Sequence, residues 1–244
     1  MVTEQQAAPA DAAGTTRPPR RGPVLVVAGA LGETLFTVGV LLALFATYSL
    51  WWTDVLAGRR AGQDGERLRG AWSTALASAR HDVGEGVGFL HIPALGQDYQ
   101  VLIKMGTDEE TLDEGVAGVY QEPYRSALPW EKEGNFALAA HRDGHGAKFH
   151  DLDQVQPGDA LVVETGDNWY VYRVDNTLPE TSKYDTGVVA PVPTGSGYDA
   201  PGRYITLTTC TPVYTSLYRM AVWGSLQRVD AMDEHRTPPP ELAS

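Results

Sequence analysis

The chain of 244 residues is short of cysteine, of positive charge and of helix-forming stretches, and each shortage excludes something. With a single cysteine no intramolecular disulfide can form, and neither a cysteine-rich zinc site nor an iron–sulfur cluster can be built. Lys and Arg number 19 against 31 Asp and Glu, for a formal net charge of −12. So few cations cannot supply the phosphate-neutralising surface of a nucleic-acid binder, and no nucleic-acid partner is expected. The 26 glycines and 16 prolines follow no period, which excludes collagen and points to many turns. A length of 244 residues leaves room for one sizeable domain and little else.

Residues 1–22 are rich in Ala, Pro, Thr and Gln, include Arg17, Arg20 and Arg21, and read as a disordered cytoplasmic tail. From Val24 to Trp52 the only charged residue is Glu33, and the charge-free run Thr34 to Trp52 would rise about 28 Å as a helix. Residues 23–52 therefore read as a transmembrane helix. A cleaved signal peptide is the competing reading, but its apolar core spans only ~7 to 15 residues, and this run ends in Tyr48, Trp51 and Trp52, an interfacial belt. The arginines ahead of the span hold the N-terminus in the cytoplasm although Arg59 and Arg60 lie beyond it, so the rest of the chain is expected outside the cell. That exported part carries the acidic excess and should not cling to anionic lipid.

Residues 53–82 read as a juxtamembrane linker and an amphipathic helix, since Leu68, Trp72, Ala75, Leu76 and Ala79 recur at helical spacing between Glu66 and Arg80. Strands are predicted at 87–92, 99–104, 135–140, 160–164, 169–174, 204–209 and 218–229, where branched and aromatic residues alternate with Gly, Pro, Asn and Asp breaks. Only 111–115 and 148–152 read as helical turns, too little helix for parallel βαβ units. A mostly antiparallel closed barrel over 83–229 is the predicted architecture. After Asp230 the polar stretch and Thr237-Pro238-Pro239-Pro240 read as a flexible tail, 230–244.

Cys210 ends the strand Tyr204 to Thr209, and Pro212 stops further pairing. A lone cysteine is commonly a small buried hydrophobe. An exported chain that keeps an unpaired thiol accepts oxidation, which is easier to understand if the thiolate is a nucleophile. Such a nucleophile needs a proton carrier and an oxyanion partner at neighbouring strand ends. His141, directly after 135–140, and Arg219, opening the strand after Cys210, fit those roles. His145 and His150 could join His141 on a metal, but Gly144 and Gly146 interrupt the helix that would align them and no H-E-x-x-H occurs. The acidic runs Asp108-Glu109-Glu110 and Asp113-Glu114 lack an EF-hand pattern and read as a solvated face. Tyr120, Tyr124, Trp130 and Tyr214 lie in loops, where they either line a groove or cover a barrel end.

Thr206-Leu207-Thr208-Thr209-Cys210 resembles the sortase T-L-x-T-C signature, Arg219 follows at the proper distance, and Asn135 to Arg142 resembles the strand leading to the catalytic histidine of that family. Phe149-His150-Asp151-Leu152 and Pro157-Gly158-Asp159 are similar to further family segments, so that the resemblance covers about 84–226. Ala140 stands where many relatives have Gly. The membrane helix with Gly32-Glu33, Ala127-Leu128-Pro129 and Cys210-Thr211-Pro212 look most like class E, the housekeeping type of high-GC Gram-positive bacteria. The Asp-Pro-aromatic lid of pilin-polymerising enzymes has no counterpart, since no Asp-Pro occurs.

The resemblance implies a closed sortase-type β-barrel of about eight strands with short helices. It implies a membrane-anchored cysteine transpeptidase that cleaves a C-terminal L-A-x-T-G or L-P-x-T-G signal between Thr and Gly, on secreted client proteins, and hands the acyl group to an amine of a peptidoglycan precursor. Cys210 would be the nucleophile and His141 the acid and then base. Arg219 would hold the oxyanion with Thr209 as a helper, and Tyr120 would meet the substrate. No metal or organic cofactor is called for. The rival readings are a pilin-type sortase and a non-catalytic, membrane-tethered β-domain in which Cys210 is a buried plug.

Overall fold

Alternating apolar residues build eight strands that close on themselves. The computed structural model describes residues 23–74 and 86–243. In it β1 (Gly88–His91), β2 (Gln100–Met105), β3 (Ala117–Val119), β4 (Gly134–Ala139), β5 (Ala160–Glu164), β6 (Asn168–Ser182), β7 (Arg203–Thr211) and β8 (Tyr218–Ala231) form a closed barrel in the order β1-β2-β3-β4-β7-β8-β6-β5. Neighbours run antiparallel except β2 with β3 and β4 with β7. Phe136, Leu138, Ile205, Leu207, Tyr172 and Val222 fill the interior, none more than 2% exposed. Each such side chain contributes roughly 1.5 to 3 kcal/mol by leaving water.

All seven strands expected from the sequence are present. The eighth, β3, is too short to reveal a period, and its Gly118 lies where an added Cβ would come within 2.1 Å of the Gly106 carbonyl oxygen. β6 runs on to Ser182 through the polar stretch Asn176 to Ser182. An irregularity in its pairing with β8 between Leu178 and Thr181 accommodates Pro179.

The chain divides into two units, 1–47 and 48–244. In the first, the described residues 23–47 are helical and expose Leu35, Phe36, Leu41 and Phe45. They open α1 (Pro23–Thr74), which is long and apolar enough to cross a membrane. The expected linker after residue 52 is itself helical, a correction with a simple cause: no proline interrupts residues 53–74. Within the second unit Ala61, Leu68 and Trp72 pack on Phe89, Leu102 and Val116, and Lys104 Nζ pairs with Asp64 Oδ2 at 2.6 Å. A Cβ at Gly65 would stand 3.0 Å from the Phe89 ring, so a small residue lets the helix approach. The expected tail 1–22 and the end of the expected amphipathic helix, 75–80, lie outside the described residues.

The C-terminal stretch also departs from expectation. β8 continues to Ala231, Met232 and Leu242 pack on Val162, Trp169 and Val171, and Arg228 holds Glu241 through Nη1 at 2.7 Å. Polar composition concealed a segment fastened by ion pairs and by a small apolar cluster.

Arg236 from that segment reaches Glu164 Oε1 at 2.9 Å, while His91 Nε2 lies 3.0 Å and Arg69 Nη2 3.5 Å from Oε2. Burial pushes the Glu164 pKa up, but the bonds from His91 and Arg236 and the charge of Arg69 outweigh it and hold the carboxyl below its ordinary value. A depressed pKa contributes stability that is present above the unfolded-state value and is lost as pH falls through the folded one. Glu164→Gln should therefore cost about 1 to 3 kcal/mol near neutral pH. The gap to the wild type should narrow as pH falls below about 4.3. Urea midpoints at about pH 7 and about pH 3.5 check this, and an unchanged gap refutes it.

Candidate active site

Strand register brings three residues to one mouth of the barrel. In the parallel pair β4–β7, Ala139 lies opposite Thr208, so His141 and Cys210, each two residues on, leave the same end of neighbouring strands. In the antiparallel pair β7–β8, Cys210 lies directly opposite Arg219. The two-residue period settles the face: Phe136, Leu138, Ile205, Leu207, Met220 and Val222 fill the interior, which turns Ala139, Thr208, Cys210, Arg219 and Ala221 outward. Cys210, His141 and Arg219 are all partly exposed.

Small residues floor this outer face, and two connections bank it. Val188 and Val189, between β6 and β7, pack with Tyr120, which follows β3, over Ala137, Ala221 and Trp223. Trp223 Nε1 donates to the Val188 carbonyl at 2.9 Å, tying that bank to β8. An extended peptide laid along β4 and β7 would meet a floor with little side-chain bulk.

His141 is held from its far side. Its Nε2 is 2.8 Å from Asp113 Oδ1, and His145 Nδ1 is 3.4 Å from the same oxygen, with the two imidazole rings 5.4 Å apart. Asp113 follows α2 (Glu109–Leu112), whose N-terminus is capped by Asp108 accepting from Thr111 N at 3.0 Å. Reading Asp113 as part of a solvated face missed this. Only the adjacency of β3 and β4, with Gly118 opposite Ala139, carries the turn after α2 to the histidine.

The hydroxyl of Tyr120 is 3.0 Å from Thr208 Oγ1, which in turn donates to the Leu138 carbonyl at 3.2 Å. With the threonine proton committed, Tyr120 is the donor of that pair and keeps its oxygen lone pairs free to accept. Burial raises the Tyr120 pKa; its bond to Thr208 and the charge of Arg219 oppose that, and Cys210 adds to it. The Thr209 hydroxyl donates to the Ala140 carbonyl at 2.8 Å from the inner face, where the residue is 3% exposed, while Cys210 faces outward.

Arg142 is a second residue that the sequence did not single out. Its side chain, 5% exposed, donates to Thr211 Oγ1 at 3.0 Å, to the His150 carbonyl at 3.2 Å and to the Cys210 carbonyl at 3.4 Å, and pairs with Asp153 at 2.8 Å. It laces the chain after Cys210 to the chain after His141. His150 Nδ1 is 2.8 Å from the Arg142 carbonyl, away from the oxygen that His141 and His145 share. Among the described residues no group of three or more His, Cys, Asp or Glu could hold a metal ion. Of the loop aromatics, Trp130 packs on the barrel core, whereas Tyr214 is 84% exposed. Arg142→Ala should lower stability by about 2 to 3 kcal/mol by stranding these partners. Thermal unfolding measures it, and a loss under about 0.5 kcal/mol would mean that the lacing is unimportant.

Comparison with known proteins bears on this geometry. A sortase domain family model matches residues 90–227. The chain is 48% identical over 241 residues to sortase SrtE2 of Streptomyces coelicolor, covering 94% of this chain and 95% of that one. It is 45% identical over 208 residues to sortase SrtE1 of the same organism, covering 84% of this chain and 58% of the relative. Among solved structures, S. coelicolor sortase E1 with a tripeptide in its active site superposes with a TM-score of 0.61 at 44% identity, over 65% of this chain and 96% of that one. Sortase E of Streptomyces avermitilis gives 0.56 at 34% identity, over 64% and 96%.

Proposed function

The chain belongs to the sortase family and, within it, to class E, and on that premise we propose that this cysteine transpeptidase is held in the membrane by α1 and processes sorting signals of the L-A-x-T-G type outside the cell. The observation that carries the reading is the shared mouth: Cys210 and Arg219 form a cross-strand pair, and His141 leaves the adjacent strand at the same level.

Cys210 Sγ attacks the Thr carbonyl of the signal, forming the C–S bond, and the carbonyl oxygen takes the negative charge. Arg219 and backbone N–H groups near Cys210 stabilise that charge. His141 then protonates the Gly nitrogen as the C–N bond breaks, leaving a thioester. An amine of a peptidoglycan precursor attacks the thioester, His141 takes its proton, and the thiolate departs. Asp113 on Nε2 orients the imidazole and leaves Nδ1 for these transfers.

Cys210→Ala should abolish cleavage and transfer with the fold intact; residual turnover above about a hundredth of wild type contradicts a covalent role. Asp113→Asn should lower kcat by roughly tenfold to a hundredfold with KM little changed, as expected of a residue that aims another. An unaltered kcat would remove Asp113 from the mechanism.

Preference between signals follows from Tyr120. Ala at the second motif position offers an N–H that the Tyr120 oxygen can accept, whereas Pro has none. One such bond of about 0.5 to 1.5 kcal/mol predicts a two- to tenfold higher kcat/KM for the Ala peptide. Tyr120→Phe should narrow that gap. Direct competition between the two peptides decides: parity or a Pro preference in the wild type defeats the signal assignment, and an unchanged ratio in Tyr120→Phe defeats only the residue.

A further inference from the structure

Within residues 48–244 the part of α1 from Asp54 to Trp72 runs along the barrel from one end to the other. Asp54, two residues past Trp52, accepts from Gly146 N at 3.0 Å, in the loop that follows His141. Ala57 lies against Gly115 and Gly146. At the other end Trp72 lies against Gly166 in the β5–β6 hairpin, and the Arg236 guanidinium sits 4.7 Å over its ring. From Asp54 to Trp72 the helix rises about 27 Å. The mouth that holds Cys210 is thus the end nearest Tyr48 and Trp52, whose stacked rings, 5.6 Å apart, have the character of an interfacial anchor.

The same mouth carries an uncharged loop, of which Ser216 and Tyr218 lend their backbone carbonyls to Arg219 Nη1 at 3.3 and 2.9 Å while their neighbours' side chains point away. Thr211 to Tyr218, joining β7 to β8, contains no charged residue in a chain of net charge −12. It exposes Tyr214 by 84%, Leu217 by 63% and Tyr218 by 42%. Tyr214 takes a left-handed backbone, φ +64°, and donates its N–H to Asp143 Oδ2 at 2.6 Å, while Thr215 Oγ1 donates to the Pro212 carbonyl at 2.8 Å. The loop is therefore fastened, through Asp143, to the segment that Asp54 fastens to the helix. Large apolar side chains held outward on a tied loop mark a docking surface.

We propose that Tyr214, Leu217 and Tyr218 rest in the headgroup–acyl boundary of the bilayer that α1 crosses, so that the domain is pinned at two points with its catalytic mouth turned to the membrane surface. The inference rests on the reading of α1 as a transmembrane anchor. A bilayer is the occupant that fits: the loop is at the end nearest Tyr48 and Trp52, tyrosine suits the interface, and in a chain of net charge −12 an uncharged segment is a part that can approach lipid.

The test uses the full chain with Cys210→Ala, which removes the native thiol, in phosphatidylcholine nanodiscs containing lipid spin-labelled close to the headgroup or, for the probe in the span, midway along the acyl chain. A nitrobenzoxadiazole probe is attached to a single new thiol at Thr215→Cys, at Asp167→Cys in the distal hairpin, or at Leu41→Cys in the span. Probes at 215 and 41 should be quenched at least roughly twofold and the probe at 167 should not; adding Tyr214→Ser and Leu217→Ser should abolish the quenching at 215 only. Quenching at 41 with none at 215 overturns the proposal while leaving the anchor in place. Quenching at 215 that survives the two serines overturns the residues assigned. No quenching at 41 overturns the anchor itself, and the docking with it. Self-quenching at 215 in discs without spin-labelled lipid would assign the loop to a second copy of the chain instead.

Discussion

The site depends on the register between β4 and β7. A slip of one residue would turn Cys210 into the barrel and Thr209 out of it. Three threonines guard against that slip, each spending its hydroxyl across the pair: Thr206 on Asn135 Oδ1 at 2.8 Å, Thr208 on the Leu138 carbonyl at 3.2 Å and Thr209 on the Ala140 carbonyl at 2.8 Å. On the other side of β4, Ser126 donates to the Asn135 carbonyl at 3.0 Å and accepts from Ala137 N at 2.7 Å. Each bond is buried, and losing one partner costs roughly 1 to 3 kcal/mol. The threonine-rich run before Cys210 is thus a registration device, and the cysteine inherits its position.

Chemistry is layered on that frame by loops. Asp113 reaches His141 from the turn after α2, and Arg142 laces the segment beyond β4 to the segment beyond β7. His141 and Cys210 are therefore each fixed twice, once by a strand and once by a side chain from elsewhere. Groups fixed in this way lose little freedom when a reaction partner arrives.

Sequence reasoning found the strands that carry a period of two, because alternation is a local property, and it put Cys210, His141 and Arg219 at strand ends that the register brings to one mouth. It lost β3, whose three residues show no period, and with β3 the neighbour relation that delivers Asp113. Alternation along β7 puts residues 209 and 210 on opposite faces. Sequence reasoning broke α1 in two because the apolar stripe thins after Trp52, where Ala61 and Gly65 pack by being small rather than greasy. The last residues were read by composition, which cannot register Arg228 on Glu241 or Arg236 on Glu164. Phe149 and Leu152, noticed as family-like, prove to be fully buried core.

Arg236 has a temporal meaning as well as a spatial one. It bonds a carboxylate 72 positions earlier and covers Trp72 of the helix, so the seam between helix and barrel cannot be completed until nearly the whole chain has been made. β8 closes the barrel against both β6 and β7 and is likewise late to arrive. Contacts of such long sequence separation form slowly. The last segment to be made is thus the one that completes the domain.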